Sequence, residues 1–383
     1  MTGLLASEHQ SHFGNDIGNL NSENEGWSVD LDETLGERLG AAGYRTAGVI
    51  ANPFLVALDG PGCGFDLWTE APRPKTFGLG AERLKRKFFR RAYQNQLFPI
   101  ATATAVNRVV LGLFDHCEEG GCFIMANYME AHTPYIPSTP YAGTFGEGAP
   151  ADAPEFLSVD DSPIDAARAT AAYDEQILEL DAHLGELLDE LEARGLLDEM
   201  WLFITSDHGE SFQEHQSVRH ASNLYNEQVR IPLVVQPPRG SRLPITQPAG
   251  LLDVTATISA IATGRPLGRG RDLRDADAPA IAKMEFFGSR GGDPTLGAYS
   301  RLDSRGVVRD DRKLIEVGGR RELYLLDNDP AERSNQVSAR PEEAGRLARD
   351  LPPLEIRGDR VRMGNDSFDS DTIDALRALG YAE

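Results

Sequence analysis

Apolar positions along this chain fall into two periods. Unbroken runs at Thr46 to Ala51, Phe123 to Asn127, Trp201 to Thr205 and Pro232 to Gln236 read as strands, being short, rich in Val, Ile and Phe, and free of helical spacing. Leu35 to Ala42 and Ala167 to Arg194 read as helices. In the second, Ile177, Leu180, Leu184, Leu187, Leu188 and Leu191 form a stripe that can cover a sheet, Asp181 falls on the surface side, and Gly195 ends the run. Between two such units, Ala149 to Pro163 is acidic and proline-rich and predicts a surface loop. Alternating strands and helices predict an α/β fold with a mostly parallel central sheet flanked by helices. After Gly264 the runs shorten. Those around Gly306 to Val317 and Glu322 to Leu326, parted by Gly318-Gly319, predict a smaller antiparallel sheet with a terminal helix. The division expected is a domain over residues 1–275 and a carboxyl-terminal α+β subdomain over 276–383. No internal repeat interrupts this plan.

The run Trp201 to Thr205 ends abruptly in Ser206-Asp207-His208-Gly209-Glu210. Open α/β sheets place ligands at the carboxyl ends of their strands. Asp207 offers a hard anionic oxygen and His208 a neutral nitrogen, a pair suited to Mg²⁺, Mn²⁺, Zn²⁺ or Ca²⁺, with Gly209 letting the backbone turn past the ion. Taken alone, the stretch equally fits a helix cap made by Ser206 or Asp207 beside a surface histidine.

Company favours the first reading, since three of the eight histidines fall between positions 208 and 220. Downstream stand Phe212-Gln213-Glu214-His215-Gln216-Ser217-Val218-Arg219-His220 and then Leu224-Tyr225-Asn226-Glu227-Gln228-Val229-Arg230-Ile231-Pro232-Leu233. In this order the motifs resemble those of the sulfatase family of the alkaline phosphatase superfamily, which carries Ser-Asp-His-Gly-Glu, Gly-Glu-His-Gly, a His or Lys before Leu-Tyr-x-Glu, and Arg-x-Pro-Leu. Asn127-Tyr128-Met129-Glu130-Ala131-His132-Thr133-Pro134-Tyr135 is similar to the family's Asp-Pro-His-x-Pro-Tyr segment, with Glu-Ala in place of Asp-Pro. Further matches are Ala172-Tyr173-Asp174-Glu175-Gln176-Ile177, Gly43-Tyr44-Arg45-Thr46, Lys313-Leu314-Ile315, the stretch Glu322 to Glu332 with its Asp329-Pro330-Ala331-Glu332, and Leu376 to Tyr381 near the carboxyl end.

The resemblance implies an alkaline-phosphatase-like fold and a divalent-cation-dependent sulfuric ester hydrolase acting on a sugar or other organic sulfate. It implies that Asp207 and His208 are metal ligands, with Ca²⁺ favoured over Mg²⁺ or Mn²⁺. It also implies that His132 and His220 are catalytic and touch the sulfate: His132 contacts it or protonates the leaving oxygen, and His220 binds its oxygens. Asn52 is a further substrate-binding candidate, because Ala51-Asn52 stands where many members have Gly-Lys-Trp-His; an asparagine before Pro53 also has an ordinary structural reading. His215, flanked by Gln213 and Gln216 where glycines are usual, is expected to support the site from behind, and Arg230 to form a structural salt bridge.

Members also carry acidic ligands and then Cys-x-Pro-Ser-Arg, or a Ser counterpart, shortly before Thr-Gly-Leu. Here Thr2-Gly3-Leu4, continued by Ala6-Ser7-Glu8-His9, opens the chain, and neither Cys63, Cys117 nor Cys122 has the nucleophile's context. The expectation is therefore of a chain without the formylglycine nucleophile and inactive as it stands. A start assigned too late and a decayed copy both account for it. Phosphodiester or phosphonate ester hydrolysis on the same scaffold, and noncatalytic anion binding, are the competing functions.

Composition narrows the partners. A net charge of −22 argues against nucleic acid. Of 38 basic residues only Lys75, Lys85, Lys87, Lys283 and Lys313 are lysines; an acidic, lysine-poor surface suits high salt, and an ordinary acidic surface from a GC-rich genome gives the same numbers. Three cysteines without pattern argue against a disulfide framework or a zinc finger. The basic, partly apolar segment from Arg83 to Arg91 is read as a solvated face. Contact of 83–114 with an anionic membrane is the less favoured reading, since the apolar stretch Phe98 to Phe114 is broken by Asn107 and Arg108. No signal peptide is visible, which by default reads as cytoplasmic, and localisation stays open.

Overall fold

The computed structural model describes residues 33–52, 55, 62–72, 102–117, 120–146, 157–244, 247–288 and 296–354. The segments around Thr2-Gly3, the basic cluster Arg83 to Arg91 and Leu376 to Tyr381 lie outside them. Helix α1 (Leu35–Ala41) starts at a capping box, in which the Thr34 hydroxyl accepts from the Glu37 N–H and the Glu37 carboxylate accepts from the Thr34 N–H. It leads into β1 (Arg45–Ile50), which pairs in parallel with β2 (Leu67–Glu70) on one side and with β3 on the other. Between β2 and β3 runs α2 (Ala103–Phe114), and β3 spans Cys122–Asn127.

Asn107, which was expected to break the apolar stretch, instead ties elements together from inside α2. Its amide donates to the His183 carbonyl and its oxygen accepts from the Tyr128 hydroxyl. No helix among the described residues is long and apolar enough to cross a membrane. The long helix α3 covers Pro163–Ala193, beginning before the expected Ala167 because Ser162 caps it and Pro163 is pre-set for its first turn. Gly195, at φ +74°, ends it, with the Leu196 N–H returning to the Leu191 carbonyl. Only the lower part of the expected stripe is deep: Leu187 and Leu191 are buried, but Ile177 is 42% exposed. The upper half buries small residues, Ala166, Ala169 and Ala172, because there the helix lies close to its neighbours.

Successive β3 side chains point to opposite faces. Ile124 packs with Val49, Val106, Val110, Leu187 and Leu191 beneath α2 and α3, whereas Phe123 packs with Leu35, Leu39 and Leu267. Each such buried aliphatic side chain contributes about 1.5–3 kcal/mol. The parallel sheet is thus covered on both sides, as an α/β fold requires.

Strand β4 (Leu202–Thr205) departs from expectation. Among the described residues its partner is antiparallel, β7 (Leu233–Gln236), and its side chains are half-buried rather than central. An unbroken apolar run signals a strand but carries no information on the direction of its neighbour. Between these two strands lie the short pair β5 (Ser211–Phe212) and β6 (Val218–Arg219) and a single turn of helix, α4 (Asn226–Val229). Helix α5 (Leu251–Thr263) follows and joins α1 and Phe123 on the second face of the sheet.

The last part is a four-stranded antiparallel sheet in the order β11-β10-β9-β8, formed by β8 (Ile281–Phe286), β9 (Ser304–Arg309), β10 (Arg312–Val317) and β11 (Arg320–Leu325). One face carries α6 (Pro341–Leu347) on Val307, Leu314 and Leu323. The other presents Ile315, Val317 and Tyr324 to Leu224 and Tyr225, just before α4.

Cys117 and Cys122 form a single disulfide with their Cα atoms 5.6 Å apart, a bridge that the unpatterned cysteines did not announce. The turn through Gly120 and Gly121, the latter at φ +85°, brings the end of α2 back to the start of β3 within bridging distance. Spacing alone did not reveal that return.

Candidate functional site

Two segments converge at the carboxyl ends of the strands. The first runs from β3 through Ala131, at φ +73°, to His132. The second is the excursion between β4 and β7. His132, His208 and His220 meet there: the rings of His208 and His220 stack 4.1 Å apart at 23°, and His132 meets His220 edge-on at 5.3 Å.

His132 turns Nδ1 to the Thr133 carbonyl at 2.6 Å, so that nitrogen carries the proton and Nε2 carries the lone pair. Burial, reinforced by the neighbouring His220, pushes its pKa down to about 4 despite the Thr133 carbonyl and Glu210. In the free site His132 is therefore neutral at pH 7. Glu130 points elsewhere: its carboxylate accepts from the Ala103 N–H at the start of α2, and burial raises its pKa.

His208 turns Nδ1 to the Gly209 carbonyl at 2.8 Å, which again fixes the tautomer and leaves Nε2 as a donor of electrons. That nitrogen lies 3.7 Å from Asp207 Oδ2, and the side chain of Asp207 is 81% exposed. Asp207 Oδ1 accepts from the His208 N–H, while the Ser206 hydroxyl donates to the His208 carbonyl at 2.6 Å. A ring held in the metal-binding tautomer beside an outward carboxylate fits a divalent cation as a pair of donors. Among the described residues no group of three or more His, Cys, Asp or Glu gathers for an ion.

Gly209 serves close approach. A Cβ there would lie 2.2 Å from the Glu227 carbonyl oxygen, and its N–H donates to the Gln228 carbonyl at 2.7 Å.

Glu210, which directly follows Gly209 in the sequence, lies behind the histidines. It is buried, receives the Tyr135 hydroxyl at 2.6 Å on Oε2, and faces His220 Nδ1 from Oε1 at 3.1 Å. Burial and the Glu210 charge both push the Tyr135 hydroxyl's pKa well up, so it stays protonated and donates. Tyr135, Tyr173 and Phe212 close the back in an aromatic cluster. A glutamate directly after the glycine of Asp207-His208-Gly209, near a later histidine, is the only signal the sequence held for it.

His215 is turned away from the other three. Nδ1 meets Glu227 at 2.9 Å, Nε2 meets the Glu332 carbonyl at 3.1 Å, and the ring stacks on Tyr225 at 3.8 Å. Burial opposes its charge, but Glu227 and the Glu332 carbonyl outweigh that and raise its pKa. Its neighbours Gln213 and Gln216 adopt φ +80° and +53°, conformations that favour glycine. Gln213 compensates by donating its side-chain amide to the carbonyls of Ser158 and Asp161.

Next to His215, Lys313 is fully buried and paired with Glu332 at 2.7 Å, and it also donates to Asn226 Oδ1 at 3.0 Å. Asn52 stands past the end of β1, its N–H bonded to Asn127 Oδ1 at 2.9 Å, on the same sheet edge from which the chain leaves for His132. Arg230 is exposed and forms no ion pair among the described residues, contrary to the salt bridge expected, because it follows α4 where the chain faces solvent.

Comparison with known proteins gives a family likeness for part of the chain. The sulfatase family model matches residues 102–264. An uncharacterized sulfatase YidJ of Escherichia coli (strain K12) is 29% identical over 140 residues, covering 36% of this chain and 28% of that protein. The segment 102–264 is thus sulfatase-like. Arylsulfatase K of Xenopus laevis is 34% identical over 200 residues, covering 47% of this chain and 36% of that protein. The matched segments thus span about a third of these curated relatives.

Among solved structures, BT4656, in complex with its substrate D-glucosamine-2-N,6-O-disulfate, aligns with a TM-score of 0.64 at 15% identity, over 91% of this chain and 85% of that one. The phosphonate monoester hydrolase from Silicibacter pomeroyi aligns with a TM-score of 0.62 at 18% identity, over 91% and 83%. These likenesses establish the fold, an alkaline-phosphatase-like α/β fold.

Proposed function

We propose that this protein, sulfatase-like over residues 102–264, is a hydrolase that binds the oxyanion of a sulfuric ester, of a sugar or another organic alcohol, beside a divalent cation. The observation that carries this reading is the convergence of His132, His208 and His220 from two separate segments, with Glu210 and Tyr135 buried behind them. Asp207 and His208 would hold the cation, for which Ca²⁺ is proposed and Mg²⁺ or Mn²⁺ suits the same oxygen and nitrogen donors. Such an ion neutralises charge on the transferring group.

His220, oriented by Glu210, presents its ring edge to the anion. An arriving anion favours the charged form of His132, which then donates from Nε2 to the ester oxygen or the leaving oxygen. Asn52 lies on the same sheet edge and is proposed to flank the bound ester. The nucleophile is not among these residues, and no Cys-x-Pro-Ser-Arg occurs in the sequence. A sulfated glycan is the proposed ligand class; BT4656, bound to a glucosamine disulfate, is a fold neighbour that suits it.

Calorimetry with CaCl₂ and then sodium sulfate, alongside hydrolysis of 4-nitrophenyl sulfate and 4-nitrophenyl phenylphosphonate, tests the reading. Sulfate binding that needs Ca²⁺ and disappears in Asp207→Ala and His208→Ala is the expected result. Undiminished Ca²⁺ binding in Asp207→Ala overturns the metal assignment. Turnover of the phosphonate alone moves the assignment to phosphoryl chemistry, and sulfate binding with no turnover of either ester leaves an anion-binding protein.

A further inference from the structure

His220 sits at the apex of a backbone that L-residues rarely adopt. Arg219 and Ala221, on either side of it, have φ +60° and +54°. Left-handed non-glycine residues persist only where their surroundings hold them. The holding group is the side-chain amide of Gln228, which is buried on α4. Its Oε1 accepts from the N–H groups of Ser222 at 3.1 Å and Asn223 at 3.4 Å. Its Nε2 donates to the hydroxyls of Ser211 at 2.7 Å and Ser222 at 2.6 Å. Two bonds accepted and two donated use the full capacity of an amide.

The same residue's backbone carbonyl takes the Gly209 N–H at 2.7 Å. Ser217 extends the knot, its hydroxyl 2.5 Å from that of Ser222 and donating to the Leu296 carbonyl. Ser211, Ser217 and Ser222 are all buried. Gln228 therefore grips three places at once: the backbone between His208 and Glu210, the residue after Glu210, and the turn that follows His220.

We infer that Gln228 is a positioning residue, which sets the His220 ring against His208 and thereby fixes the spacing between the anion-binding edge and the cation-binding pair. Its functional consequence rests on the proposed roles of those histidines, whereas its geometric consequence does not. No hydrophobic residue of the same length can substitute, because the buried Ser222 and Asn223 N–H groups and the buried Ser211 and Ser222 hydroxyls would each lose a bond.

The test uses the full chain with Gln228→Met, which preserves length and removes the amide, and with Ser222→Ala, which removes the hydroxyl on the His220 side. Imidazole proton resonances, assigned with His208→Ala and His220→Ala, report the stacked pair through its ring-current shifts, read well below each variant's melting temperature. Loss of those shifts is expected in Gln228→Met, with a smaller displacement in Ser222→Ala. Affinity for inorganic sulfate in CaCl₂ should fall about tenfold while Ca²⁺ affinity stays within about twofold, because the Asp207 and His208 donors are held by backbone bonds that both variants keep.

Should Gln228→Met fail to fold, Ser222→Ala carries the test. Unchanged ring-current shifts in a folded variant overturn the inference, since a merely structural bond would lower the melting temperature and leave the stack in place. If sulfate does not bind the parent chain, the functional reading fails, and the ring-current comparison still decides the role of Gln228.

Discussion

Replacing Lys313 by methionine should be among the most damaging single changes in the carboxyl-terminal sheet. The ammonium is fully buried, 2.7 Å from Glu332 and 3.0 Å from Asn226 Oδ1, and Glu332 in turn accepts the Asn226 N–H on its other oxygen. Burial lowers the Lys313 pKa and raises that of Glu332, while each one's charge counters the shift of the other. Removing Lys313 alone strands a carboxylate away from water, which costs about 3–5 kcal/mol. Replacing both, as Lys313→Met with Glu332→Leu, removes the stranded charge and leaves the Asn226 groups short of partners, at about 1–3 kcal/mol. The double variant should therefore be more stable than Lys313→Met, by about 2 kcal/mol.

Urea denaturation of the parent, both single variants and the double variant, followed by intrinsic fluorescence, supplies the cycle. A cost below about 1 kcal/mol for Lys313→Met, or a double variant as unstable as the sum of the singles, would refute the reasoning. Hydrogen exchange at the Asn226 amide gives a local check, because its protection should fall in Glu332→Leu before global unfolding.

Gly209→Ala puts a methyl 2.2 Å from the Glu227 carbonyl oxygen and strains the Gly209 to Gln228 bond, so it should destabilise by about 2–4 kcal/mol, measured as a urea midpoint against a surface alanine control. Glu210→Gln should lower inorganic sulfate affinity by about tenfold with Ca²⁺ binding preserved, since the Tyr135 and His220 bonds lose their charged acceptor; equal affinities would exclude a part for Glu210 in orienting His220. The two half-buried histidines should give opposite pH slopes. His215, with its pKa raised, contributes stability that is full below about pH 6.5 and is lost as pH rises through its folded value, so the midpoint difference from His215→Gln should shrink on going alkaline. His132, at about 4, contributes stability that is present above about pH 6.5 and lost as pH falls toward 4, so against His132→Gln the slope reverses; parallel curves for either variant would rule out its assigned protonation state.

What could be read in advance follows from how local the physics is. The strands at 45–50, 122–127 and 202–205 announced themselves through unbroken apolar runs, and the end of α3 through Gly195. Helix α5 did not, because Asp253, Thr255, Thr257 and Ser259 are buried while Leu251 is exposed, so no apolar stripe marks its inner face. The strand partner of β4, the closure of Cys117 on Cys122 and the burial of Lys313 all depend on where distant chain arrives, which no local pattern encodes.

At the site, Asp207 and His208 were singled out by their place at a strand end, and His132 and His220 by motif likeness, and their roles are proposals. The structure gathers His132, His208 and His220 and directs His215 to the carboxyl-terminal sheet. Glu210 and Gln228 were hidden for a different reason. Their roles come from hydrogen bonds between residues that only the left-handed turns at Gln213, His215, Gln216, Arg219 and Ala221 bring together.

The antiparallel pairing of β4 with β7 has a bearing on how such a site can change. Thr205 faces Leu233 across the ladder, and its hydroxyl donates to the Pro232 carbonyl at 2.8 Å, so the excursion of 206–232 leaves and re-enters the fold through one two-stranded gate. Asp207, His208, Glu210, His220 and the Gln228 brace all travel inside it. Recombination at the gate would therefore exchange them as a cassette, already folded around its own bonds. The recipient would need a histidine after β3, a hydroxyl behind Glu210 as Tyr135 supplies, carbonyls for Gln213 and Ser217, and a floor that meets His215 and Asn226, as Glu332 and Lys313 do here. Selection could thus exchange the reactive half of the pocket as one unit while the sheet beneath kept its register.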